Sequence, residues 1–238
     1  MSTRLSLPAH IDQRIEADAA AQAATLGRDV AKALREALVA RPQASLLLSG
    51  GRSPIPFFQA LSSHPLDWSR VVVSLVDERW VPADHTDSNA RLVRENLLQG
   101  AAGAAQFVPL AHAELSPDDA LPLVERDAAA LPSPFDVVVL GMGDDAHTAS
   151  LFPNLDATAA ALQADAPPLA AIRPTTAPHA RMTFTLPALL RSRLIALQIT
   201  GANKRRVLES VVGAAPIEAP IAAFLEPLAV PVRVYYAD

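Results

Sequence analysis

Short apolar runs alternate along this chain with longer stretches that are apolar on one face. "SLLLSGG" (45–51), "RVVVSLV" (70–76) and "FDVVVL" (135–140) are hydrophobic almost throughout, as strands buried on both faces are. "ARMTFTL" (180–186), "RLIALQIT" (193–200) and "VPVRVYY" (230–236) also read as strands, and "QFVPL" (106–110) as a short one. Between them lie helical patterns. Residues 11–40 predict one long helix, with Leu26, Val30, Leu34 and Leu38 four apart on a single face. Pro54 and Pro56 open a helix carried by "FFQAL". "SNARLVRENLL" (88–98) predicts a helix capped by Asp87 or Ser88. "SPDDALPLVERDAAAL" (116–131) begins with a cap, a proline and two acids, although Pro122 interrupts it. "NKRRVLESVV" (203–212) is a last helix.

Apolar strands separated by helices predict an α/β fold. Its sheet is mostly parallel, with helices on both faces and room for a small additional lobe. The 238 residues fit one domain spanning 1–238, and a 50% hydrophobic content suffices for its core. Mean hydropathy is +0.21, yet no apolar run approaches the roughly 20 residues of a membrane helix. The start "MSTRLSLPAHIDQR" has no long apolar stretch and does not read as a secretory signal. The chain has no cysteine, which removes disulfide and thiolate chemistry. A soluble cytoplasmic protein is therefore expected, as a monomer or a weak homodimer. The net charge of −5, with no Lys/Arg-rich run, argues against a nucleic-acid partner. A small anionic substrate remains compatible, because it needs only a few placed cations.

In parallel sheets, ligands sit beyond the carboxyl ends of the strands. Four such ends here carry polar chemistry. In Ser49-Gly50-Gly51-Arg52-Ser53-Pro54, glycines bring backbone N–H groups close, and a helix start adds its positive end, which suits a phosphate. A plain glycine turn is the competing reading, and no P-loop is present. In Asp77-Glu78-Arg79-Trp80, Arg79 either grips an anion through two hydrogen bonds or pairs with a neighbouring carboxylate; the residues alone favour the ion pair. Lys204, in Gly201-Ala202-Asn203-Lys204, opens a helix, where a cation opposes the dipole and a bound anion would offset that; the residues alone favour a solvated lysine.

The fourth end is "GMGDDAHTASLFP" (141–153). Gly141, Gly143 and Ala146 fit a dinucleotide fingerprint, but the context fails twice. Asp165, at ribose spacing, falls in the proline-broken "LQADAPPL", and Asp144 and Asp145 would repel a pyrophosphate. A lone histidine is most often a surface or capping residue, but His147 behind these carboxylates suits a general base, with Asp145 as a candidate orienting partner. No second histidine or cysteine stands at metal-ligand spacing, and no G-x-S-x-G nucleophile elbow occurs.

Together "LSGGRSP", "SLVDERWVPADHTDSN", "LGMGDDAHTASLFP", "RMTFTLPALLRSR" and "ITGANKRRVLE" resemble the family that unites 6-phosphogluconolactonases with glucosamine-6-phosphate deaminases, in the family's order over residues 45 to 212. The resemblance implies a modified Rossmann-like sheet. It also implies hydrolysis of 6-phosphoglucono-δ-lactone to 6-phosphogluconate in the oxidative pentose phosphate pathway, with no metal or organic cofactor. By position, the family's catalytic histidine falls on His147. Its phosphate loop falls on Ser49, Gly50, Gly51 and Arg52, its D-E-R motif on Asp77 to Arg79, and its T-G-x-x-K lysine on Lys204.

The deaminase branch resembles "DGHIAFNEP" around the histidine and D-E-Y at the second loop. Phe152 stands where its glutamate would be, and Arg79 replaces its tyrosine. A non-catalytic sugar-phosphate sensor is the other alternative; such sensors usually carry a DNA-binding domain, for which little length remains. Three departures stand out. Ala146 replaces the usual glycine before the histidine, and an ordinary backbone conformation is expected there. The loop reads S-G-G-R-S-P where S-G-G-S-T-P is common. The tail "PIEAPIAAFLEPLAV" matches the family poorly.

Overall fold

The computed structural model describes residues 4–238. Its strands are β1 (Asp12–Glu16), β2 (Ala44–Leu48), β3 (Val71–Leu75), β4 (Asp77–Arg79), β5 (Gln106–Phe107), β6 (Val137–Leu140), β7 (Leu169–Ile172), β8 (Arg181–Phe184), β9 (Ile195–Thr200) and β10 (Val232–Ala237). Its α-helices are α1 (Ala19–Ala40), α2 (Ile55–Ser62), α3 (Asn89–Asn96), α4 (Pro117–Ala128), α5 (Asp156–Ala161), α6 (Leu186–Leu190) and α7 (Ala202–Ser210).

Seven strands form one sheet in the order β1-β10-β9-β6-β2-β3-β5, and every neighbouring pair is parallel. The expected α/β fold is therefore present, with helices around the sheet. The central strands β2, β3 and β6 are buried at every position, as uninterrupted apolar runs require. In a parallel sheet all carboxyl ends point the same way. The loops after β2, β3, β6 and β9 thus emerge along one edge.

A second, three-stranded antiparallel sheet, β4-β8-β7, forms the additional lobe. "ARMTFTL" is a strand, but it belongs to this sheet. Asp77–Arg79, read as a loop of charges, is a strand too. Asp77 and Glu78 are buried there, since each finds hydrogen-bond donors.

The predicted helix over 11–40 needs correction at its start. Asp12–Glu16 is an edge strand paired with β10, and the helix begins at Ala19. Asp18 caps it, accepting from Ala21 N at 2.8 Å. "DQRIE" is polar and only half-buried, so it shows no strand pattern of its own, and its pairing partner lies at the other end of the chain.

Buried Gln22 fastens α1 to the main sheet. Its Nε2 donates to the carbonyls of Ile199 (2.6 Å) and Tyr235 (2.9 Å). Its Oε1 accepts from Gln198 Nε2 and Thr200 Oγ1, each at 3.1 Å. Gln22→Ala strands this whole network. It is expected to cost about 2–4 kcal/mol, read as a lower urea midpoint at unchanged slope; a loss below 0.5 kcal/mol, roughly a surface change, contradicts it.

Candidate active site

The four strand-end loops converge on a cleft of about 260 Å³. Ser49, Gly50, Gly51, Asp77, Arg79, His147 and Lys204 all line it. Arg52 does not: its side chain stands exposed outside the cleft.

The loop after β6 builds the centre. Asp145 Oδ1 receives two N–H groups of His147, the backbone at 3.1 Å and ring Nδ1 at 2.6 Å. Burial works to raise the Asp145 carboxyl. The adjacent His147 ring and the hydrogen bonds outweigh it and hold the group below the usual carboxylate value. An ionised Asp145 keeps the proton on Nδ1 and leaves Nε2 as the basic nitrogen. The other side of the ring is fixed by Phe152, stacked at 4.5 Å between centroids with planes 26° apart.

This packing explains the glycines. A Cβ on Gly143 would stand 2.1 Å from His147 Nδ1 and 2.5 Å from Asp145 Oδ1. Gly143 is needed for the close approach of the His147–Asp145 pair, and no helix follows it directly, so the nucleotide fingerprint is coincidental. Gly143 N donates to His147 O at 2.8 Å, and Thr148 Oγ1 to Gly141 O at 2.8 Å. Ser49 Oγ accepts from Gly141 N at 3.0 Å, which ties the first loop to this one.

Ala146 overturns the expectation of an ordinary conformation, with φ at 64°. The turn must reverse within two residues so that the backbone and ring of His147 both reach Asp145. Ala146 is also buried, and its carbonyl accepts from Ile221 N at 3.2 Å. The surrounding packing thus holds a left-handed residue that glycine would adopt without strain.

The second loop is organised by Glu78. Its carboxylate accepts from the N–H groups of Arg79 (2.7 Å), Asn89 (2.8 Å) and Ala90 (2.7 Å), and from Ser88 Oγ (3.1 Å). Two of these are first-turn donors of α3, so the carboxylate meets the positive helix end. Burial nevertheless pushes its pKa up, against those bonds. Ser88, not Asp87, is the side-chain cap. Asp77 Oδ2 accepts from Ser150 Oγ at 2.6 Å. The ion pair favoured for Arg79 is absent among the described residues; Nη1 donates instead to the Asp87 carbonyl at 2.7 Å. Lys204 Nζ donates to the Met142 carbonyl and lies 3.3 Å from Asp144.

Asn89, Gln198 and Thr200 also line the cleft without having been singled out. Asn89 Nδ2 donates to Asp77 O at 2.9 Å, and a Cβ on Gly50 would collide with Asn89 Oδ1 at 1.8 Å. Gln198 had a legible signal: one amide inside an apolar strand. Asn89 had none, because at a helix start it reads as a solvated residue. Among the described residues, no group of three or more His, Asp or Glu is placed to hold a metal ion. None of their helices is long and apolar enough to cross a membrane.

The profile of the family described as Glucosamine-6-phosphate isomerases/6-phosphogluconolactonase matches residues 17–230. A protein of Pseudomonas putida named 6-phosphogluconolactonase is 46% identical over 229 residues, covering 94% of this chain and 93% of its own. Its namesake in Pseudomonas aeruginosa is 44% identical, covering 94% of each chain. The crystal structure of a 6-phosphogluconolactonase from Shewanella baltica superposes with a TM-score of 0.93 at 39% identity, over 96% of this chain and 98% of that one.

The strained turn is testable. Ala146→Gly is expected to change stability by less than about 1 kcal/mol, because relief of strain offsets the lost methyl and the freer unfolded chain. Ala146→Val, β-branched at positive φ, is expected to lose about 2 kcal/mol or more. Equal melting temperatures for the two variants contradict the left-handed assignment.

Proposed function

The chain belongs to the glucosamine-6-phosphate isomerase/6-phosphogluconolactonase family, and from that premise we propose how its cleft hydrolyses 6-phosphoglucono-δ-lactone to 6-phosphogluconate. The carrying observation is the 2.6 Å contact between Asp145 and His147, in a cleft also lined by Arg79 and Lys204.

His147 Nε2 takes a proton from water as the water oxygen attacks the lactone carbonyl carbon. The tetrahedral intermediate collapses with cleavage of the bond from C1 to the ring oxygen. The histidine returns its proton to that oxygen, which leaves as the hydroxyl of the opened chain, and the new acid ionises. Asp145 holds the ring in the productive tautomer and stabilises the imidazolium. A base of this kind supplies about 10²–10⁴-fold. The lactone also opens slowly in water by itself, so no covalent intermediate is required.

The phosphate is assigned to the 49–52 loop, Arg79 and Lys204. In support, the N–H groups of Gly50, Gly51, Arg52 and Ser53 meet no acceptor among the described residues, and α2 directs its amino end to the same place. Arg52 contributes through its backbone, since its exposed side chain does not line the cleft. The N–H groups of Gly141, Gly143, Ala146 and His147 are all engaged within the fold, which removes them as donors to the tetrahedral oxyanion. Phosphate binding positions the lactone at a distance from the breaking bond. Residues 1–238 act as one α/β domain in this reading, and the lactone is the only partner it needs.

Deaminase chemistry requires a second acid–base group near the histidine. Phe152 occupies that position as a buried ring stacked on His147, and it carries no proton to transfer. A sugar-phosphate sensor has no use for an oriented imidazole.

The direct test follows disappearance of 6-phosphogluconolactone against its spontaneous rate. His147→Ala is expected to keep its fold by circular dichroism and lose about 10²–10⁴-fold in kcat/KM at pH 7; near wild-type activity removes the general-base role. Lys204→Ala is expected to raise KM for the phosphorylated lactone about tenfold or more, with glucono-δ-lactone hardly affected. Equal losses on both substrates contradict a phosphate contact.

A further inference from the structure

The small sheet holds a charge that the mechanism does not use. Arg181 opens β8 and is 6% exposed. Its Nε and Nη1 are sealed from solvent and meet no acceptor. No described carboxylate lies within ion-pair distance of it, although buried guanidinium groups are ordinarily paired.

Its strand neighbour is also a cation. In the β4–β8 ladder, Arg79 stands directly opposite Arg181. The neighbouring Trp80 N donates to Ala180 O at 2.8 Å, and Phe184 N to Val76 O at 2.9 Å. Hydrogen-bonded pairs alternate along an antiparallel ladder, so Arg79 and Arg181 form a pair of the other kind, whose side chains lie closest. Like charges so placed destabilise a sheet. Burial, and then Arg79, push the Arg181 pKa below its ordinary value, while Asp77, Glu78 and Asp87 act in the opposite sense. A guanidinium stays protonated at neutral pH all the same.

The two residues share a face with Asp77, two positions along β4, and Asp77 and Arg79 both line the cleft. Asp77 accepts from Ser150 and offsets part of the repulsion, but it lies within ion-pair distance of neither arginine. The fold gains little from this arrangement, since an apolar side chain of the same length would pack there without an unpaired charge. What gains is an anion in front of Arg79.

We propose that Arg181 is a positioning residue for a phosphate monoester dianion: standing behind Arg79 without touching the ligand, it repels that guanidinium toward the cleft and adds its own positive field there. This rests on the assignment of Arg79 to the phosphate. In the free protein the two charges repel each other. With the dianion bound, both are attracted to it, so part of the repulsion is relieved only in the complex.

The test compares Arg181→Met, which keeps length and loses charge, with Arg181→Lys, which keeps the charge. The Met variant is expected to melt no lower than wild type. Its KM for phosphorylated lactone should rise about tenfold with kcat within twofold, and much more than its KM for glucono-δ-lactone. The Lys variant should recover most of the loss. Calorimetry with inorganic phosphate should show the same weakening in the Met variant, independently of turnover. A Met variant that unfolds, equal KM changes on both lactones, or failure of Lys to rescue overturns the proposal. A wild-type protein that binds phosphate but opens no lactone would instead refute the lactonase reading and leave Arg181 standing.

Discussion

The parallel register of β2, β6 and β9 is the constraint on which the site depends. Leu48 pairs with Val139, and Val139 with Ala196, so three central strands run level and end at one edge. Each strand then hands its loop to the same space. Ser49 Oγ receives Gly141 N across the first two ends, and Lys204, beyond the third, reaches the Met142 carbonyl. A slip of one residue in β6 would turn its apolar side chains to the opposite faces and carry His147 away from the cleft. The geometry of the cleft is therefore secured by core packing some distance from it.

The second theme is how the protein handles buried polarity. Most of it is fully partnered. Gln22 satisfies two carbonyls and two donors, Glu78 receives four donors, and Asp77 has Ser150. These groups rigidify the walls of the cleft, because each is held from several directions and has no equivalent alternative. Against that background, a few departures gather near the cleft. The left-handed Ala146, the Gly143 pressed against His147 and the unpaired Arg181 all border one cleft or the sheet that walls it. The apolar sheet beneath supplies the stability that tolerates this local cost.

Phe152 joins the two themes. In the sequence it is the residue whose type separates two branches of a family. In space it is the flat surface against which the imidazole rests. One side chain thereby both distinguishes the sequence and stiffens the imidazole.

Much of this was legible in the chain itself. Uninterrupted runs such as "VVVL" need burial on both faces, and that requirement alone imposes a parallel sheet with helices around it. Polar residues after such runs mark strand ends, so the segments bearing Ser49, Arg79, His147 and Lys204 were assignable to one sheet edge, although Asp77 and Glu78 proved to be buried. What the chain did not disclose was anything set by a partner far away in sequence. Asp12–Glu16 is a strand only because β10 lies beside it, and Asp77–Arg79 only because β8 does. The positive φ of Ala146 follows from the closure of the His147–Asp145 contact, which no propensity of alanine signals. Arg79 looked like half of an ion pair because carboxylates adjoin it; alternation along β4 points Glu78 to the other face, and Asp77 is taken by Ser150. Local pattern determined which segments are buried and which loops bear chemistry, because burial and periodicity are properties of neighbours in sequence. Only the tertiary structure decided which charges are partnered, because hydrogen bonds and repulsions are settled by neighbours in space.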